Sequence, residues 1–108
     1  MDIILNETVA QKALRLLEPI PAEDFLAEKF TDGLGRCCVI GHYMRLTSEN
    51  PMDFSFYNCR DLYWSDLRLE SEKFSPGRNI VKVNNSSTPE TRKNNIIAFL
   101  EDMIAAGY

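Results

Sequence analysis

Cys37, Cys38, Gly41 and His42 put two thiols and the chain's single imidazole into one short apolar stretch, residues 33–46 (GLGRCCVIGHYMRL). A thiol in the first turn of a helix has free backbone amides beside it, which lower its pKa and can hold an oxyanion. An enzyme built here would use Cys37 or Cys38 as nucleophile and His42 as base. Cys38 and His42 are four residues apart and would share one helix face, whereas papain-like enzymes bring the base from a distant element that faces the thiol. Two small buried hydrophobes beside a packed histidine account for the same residues without chemistry, and that is the expectation. A metal site would have to draw on Cys37, Cys38, His42 and Cys59, which lack paired C-x2-C or H-x3-H spacing; adjacent helical cysteines point about 100° apart. Glu23, Asp24 and Asp32 match no metal or acid–base motif and read as solvated helix ends. No metal and no cofactor are expected.

Two further groups are candidates. Asn84 and Asn85, in the run Asn84-Asn85-Ser86-Ser87-Thr88, precede a helix whose amides could hold an anion, giving a small-ligand or nucleotide sensor. The plainer reading is that these asparagines bond backbone and fix the entry to that helix. Tyr57, Tyr63 and Trp64 lie among Asp and Arg residues, a mixture favoured where proteins bind one another, and are the candidate partner-binding residues.

These groups need a scaffold, and 108 residues with 44% hydrophobic and 26% charged content fit one globular domain, residues 1–108. The net charge of −4 argues against a nucleic-acid binder, which would need cationic side chains to neutralise phosphates. No apolar run is long enough to span a bilayer, and the start MDIIL lacks the basic residues of a secretion signal, so a cytoplasmic protein is expected. An odd cysteine count, 3, with two of them adjacent, argues against a disulfide scaffold.

Val9, Ala13, Leu16 and Leu17 recur at helical spacing, predicting an amphipathic helix over 7–18 capped by Asn6 and ended by Pro19. A second helix is expected from Pro21, burying Phe25, Leu26 and Phe30, and stopping at Asp32-Gly33. Residues 36–46 are apolar around nearly the whole circumference, which predicts a central helix; a buried strand of four to six residues is the competing reading of Cys-Cys-Val-Ile. After a loop at 47–56, Asn58 could cap a short helix burying Cys59, Leu62, Tyr63 and Leu67. Ile80 to Val83, β-branched and bounded by polar residues, reads as a strand. The last helix starts near Pro89, capped by Ser87 with Glu90 or by Thr88, carries Ile96, Ile97, Phe99, Leu100, Met103 and Ile104, and stops at Gly107.

Cys37, Cys38 and Gly41, then Val83-Asn84-Asn85, then Thr91 with Ile97 and Leu100, resemble a loosely defined group of small uncharacterised phage and bacterial proteins. In that group a Cys-Cys-x-x-Gly or Cys-Ala-x-x-Gly motif opens a central helix, and an Asn-Asp turn leads to a C-terminal helix. Asn85 stands where the group has aspartate, and His42 where it has a small or aliphatic residue. The resemblance implies a phage or mobile-element origin and action by binding a host protein. The expected molecule is mainly α, a compact helical domain with a central apolar helix and at most a small strand pair. The expected function is a non-enzymatic protein-interaction module of accessory or host-directed inhibitor type, with a protein partner and no nucleic acid or membrane. A small cysteine-dependent enzyme using Cys37 or Cys38 with His42 is the first alternative, and the Asn84–Asn85 sensor the second.

Overall fold

The computed structural model describes residues 7–27, 36–47 and 65–108. Thr8 opens helix α1 (Val9–Leu17) with a capping box: its hydroxyl accepts from the Gln11 amide while the Gln11 side chain accepts from the Thr8 amide, so two otherwise unpaired donors are satisfied. The expected cap, Asn6, lies outside the described residues. Ala10, Ala13 and Leu17 face inward, the two alanines letting the neighbouring helix approach closely. At the other end, Lys93 donates to the Glu18 carbonyl at 2.7 Å.

The second helix expected after Pro21 is a single 3-10 turn, Ala22–Asp24. Phe25 then turns extended and forms an isolated parallel bridge with Cys37. Asp24 O accepts from Cys37 N at 3.0 Å and Cys37 O from Leu26 N at 2.8 Å. Two prolines in three residues and these cross-chain partners outcompete a continued helix.

Helix α2 spans Val39–Thr47 and buries Val39, Ile40, Gly41, His42 and Tyr43. Burial of five successive residues is what a central helix requires, and the circumferential apolar pattern predicted it. The double cysteine, however, precedes the helix: Cys37 sits in the bridge and Cys38 at the helix head. The helical reading of 36–46 therefore holds from Val39 onward, while the strand of four to six residues is not formed: Cys37 makes an isolated bridge only.

Helix α3 is Asp66–Phe74, with Leu67 and Ser71 buried. Gly77, at φ 81°, makes the turn that follows. Ile80 to Val83 is not a strand but the start of helix α4, Ile80–Ser86. Asn79 caps it, its Oδ1 accepting from Val81 N at 2.9 Å and Lys82 N at 3.1 Å. Ile80, Val83 and Asn84 are buried at helical spacing, so cap and packing override the β-branched preference.

Helix α5, Arg92–Ala105, buries Arg92, Ile96, Leu100 and Met103. It begins three residues later than Pro89 because residues 89–91 form a turn, with the Thr88 and Thr91 hydroxyls 2.8 Å apart. It ends as expected at Gly107, φ 91°, where Gly107 N donates to Ile104 O and Tyr108 N to Met103 O in the Schellman pattern. The result is a compact, mainly helical domain. Helices α1 and α5 pack together, α4 lies against α5, and α2 sits among α1, α3 and α4. Ala10, Ala13, Leu17, Val39, Ile40, Tyr43, Leu67, Ile80, Ile96, Leu100 and Met103 form one core. Phe74 meets Phe99 and Tyr108 edge-on at 5.4 and 5.6 Å on its border.

Candidate functional site

The double-cysteine stretch lies in a buried polar junction where the 3-10 turn, the head of α2, and helices α4 and α5 meet. Asn84 is its hub. Fully buried, it accepts from Val39 N at 3.1 Å through Oδ1 and donates through Nδ2 to Leu26 O at 2.8 Å and Asn85 Oδ1 at 2.9 Å. One side chain from α4 therefore caps α2 and holds the extended segment against it.

Arg92 closes the junction from α5. Its Nε donates to Asn84 O at 2.7 Å, its NH2 group to Ser87 O at 2.8 Å and its NH1 group to Phe25 O at 3.4 Å. Two of these carbonyls belong to the last turn of α4 and its cap, where the helix dipole favours a cation, so this 7%-exposed guanidinium is solvated by backbone.

His42 has no solvent exposure and packs against Phe25 with the rings tilted by 60° and their centroids 4.9 Å apart. Its Nε2 is 2.7 Å from Asp24 O and its Nδ1 is 3.0 Å from the Arg45 guanidinium. A carbonyl only accepts and a guanidinium only donates, so the ring is the neutral tautomer that carries its proton on Nε2. Its pKa is lowered, first by burial and further by the Arg45 charge, while the bond to the Asp24 backbone and the Asp24 charge oppose the shift.

Both imidazole nitrogens are thus engaged away from the sulfurs. Cys37 is 1% exposed; Cys38 is half-buried, and its Sγ accepts from Gly41 N at 3.4 Å in the manner of an N-cap. The structure brings Cys37, Cys38, His42 and Asn84 into one junction but does not pair thiol with imidazole in a base geometry. Among the described residues no cluster of three or more His, Cys, Asp or Glu could hold a metal ion. Cys59, Tyr57, Tyr63 and Trp64 lie outside the described residues. Asn85 is on the surface, beside Arg78, Lys82 and Ser86 in an open depression of about 430 Å³. The two asparagines are bonded to each other, but Asn84 is buried in the junction and Asn85 is exposed at its edge.

Farther along α2, the buried Tyr43 hydroxyl has no hydrogen-bond partner among the described residues, and its pKa is raised by burial and by the nearby Asp66 carboxylate. A wider groove, about 690 Å³, runs between α1 and the end of α5 over Leu14, Pro19 and Ile104, with Gln11, Arg15 and Glu18 on its edges. Arg15 is held there by a two-pronged bond to Glu7, 3.0 Å on each side. No helix among the described residues is long and apolar enough to cross a membrane.

Sequence reasoning missed the roles of Arg45 and Arg92. Arg45 was legible in part, three residues beyond His42 on one helix face. Arg92 carried no such signal. No family model, no curated protein and no solved structure matches the chain.

Proposed function

We propose that the protein is a non-enzymatic interaction module, an accessory or host-directed inhibitor of phage or mobile-element type that binds a protein partner in the cytoplasm. The observation that carries this reading is the engagement of His42: both ring nitrogens are committed to Asp24 O and Arg45, so the one imidazole serves as a strut between α2 and the 3-10 turn. The acidic balance of the chain and the aromatic set Tyr57, Tyr63 and Trp64 suit a protein contact. Affinity capture from a host lysate, run in parallel for the wild type and a Tyr57→Ala, Tyr63→Ala, Trp64→Ala triple variant, tests it. A partner retained by the first and lost by the folded second is expected; no specific partner, or equal capture by both, overturns the assignment.

One observation favours a second reading, cysteine chemistry at Cys38. Its sulfur caps the head of α2 with the Gly41 amide directed at it, an arrangement that favours thiolate. Fast labelling of Cys38 at neutral pH, together with substrate turnover abolished by Cys38→Ser, would establish that reading; slow labelling would remove it.

A further inference from the structure

From the geometry around the buried imidazole we infer that His42 is a proton-operated latch: uptake of one proton releases the head of α2 from the Asp24–Leu26 segment while the α1–α5 packing stays closed. The neutral ring joins the two sides because it can donate and accept at once, giving Nε2–H to Asp24 O and taking an N–H from Arg45 at Nδ1. An imidazolium has two donors and no acceptor. Protonation therefore sets a cationic ring against a guanidinium at 3.0 Å, in a site without solvent exposure.

Among the described residues the charges that act on the ring come from two elements. Arg45 on α2 opposes the proton and Asp24 on the 3-10 turn favours it. From α5, the Arg92 guanidinium is one step removed, bonded to the carbonyl of Phe25, whose ring packs tilted against His42. From α1, α3 and α4, the buried neighbours of the core are the apolar Ala10, Ala13, Leu17, Leu67 and Ile80; Glu7 and Asp66 act on Tyr43.

Release has a defined route. Asp24 O accepts from both His42 and Cys37 N, so withdrawal of the imidazole loosens the Phe25–Cys37 bridge. Arg45 is half-buried and its Nε has no hydrogen-bond partner among the described residues. The direction of the effect follows from the lowered pKa. The open form takes up the proton near the ordinary histidine value of about 6.5 and the closed form only below it. Closure is fully favoured above that value and weakens as pH falls through it, by at most about tenfold per pH unit for one proton.

Because His42 is the only histidine, its imidazole resonances in the full chain are unambiguous, and amide exchange can be followed alongside them. The expected result is a ring that titrates below 6.5, with protection of the Leu26 and Cys37 amides falling up to about tenfold per unit between pH 7 and 5. Protection at Ile96 and Leu100 should hold over the same range. His42→Gln, which cannot titrate, should flatten the Leu26 and Cys37 profile, and Arg45→Met should bring the ring's titration closer to 6.5 and reduce the fall in protection. A ring that titrates at or above the ordinary value overturns the inference, as does loss of protection at Leu26 and Cys37 only together with Ile96 and Leu100. Should His42→Gln not fold, an Arg45→Met profile that coincides with the wild type is equally decisive against it.

Discussion

Replacing Asn84 by Ala tests the junction at its hub. The substitution removes the acceptor for Val39 N and the donor to Leu26 O. Val39 is fully buried and Leu26 half-buried, so neither group is simply handed to bulk water. A buried donor or acceptor deprived of its partner costs about 1–3 kcal/mol. Two such groups give roughly 2–6 kcal/mol, a large share of the 5–15 kcal/mol typical of a folded domain. Asn84→Leu separates hydrogen bonding from volume: it fills similar space and leaves the same two groups unpaired, so its loss should fall in the same range. Asn94→Ala, at an exposed position of α5, is the control and should stay within about 0.5 kcal/mol of the wild type. Urea denaturation followed by circular dichroism measures all three, and unchanged slopes would show that two-state comparison is legitimate. If Asn84→Leu is as stable as the wild type, the amide is not what holds α2, and the account of the junction fails.

Other substitutions probe separate parts of the fold. Arg92→Met leaves the carbonyls of Asn84, Ser87 and Phe25 without their cation and should lower stability by about 2–4 kcal/mol in the same denaturation assay. Gly107→Ala forces a Cβ onto a residue at φ 91° and should cost about 1–2 kcal/mol, read as a lower melting temperature with no change in helix content at 20 °C or so. Asn79→Ala removes the α4 cap and should cost about 1 kcal/mol, whereas Asn79→Ser, which keeps a capping acceptor and sets no second carboxylate against Glu72, should retain most of the stability.

Periodicity carried the long helices and misjudged the short ones. In α5, apolar residues repeat over 14 residues and a glycine stands just beyond the end, so both the element and its stop are written locally. Helix α4 has only 7 residues, and Ile80-Val81-Lys82-Val83 taken alone fits a strand as well. What decides is Asn79 in front of it, together with the spacing of Ile80, Val83 and Asn84, a local signal that outweighs β-branching once the cap is included. The segment after Pro21 failed for another reason: Asp24 and Leu26 take backbone partners from Cys37, a pairing between two segments that helical periodicity does not register. The same holds for the candidate site. The apolar character and centrality of 39–43 were legible, but the hub bonds of Asn84 reach partners 45 and 58 positions away and that of Arg92 one 67 positions away.

Those separations bear on the order in which the molecule assembles. Closing loops of such length is slow in entropic terms and is rewarded only when both ends are already placed. The capped α1 and the long α5 can form from their own neighbourhoods, but the head of α2 acquires its acceptor only after α4 has been delivered to it. Exchange protection at the Val39 amide is accordingly a timer for the last stage of folding: a chain that has collapsed but not yet seated Asn84 will show its helices and leave that one proton open to water.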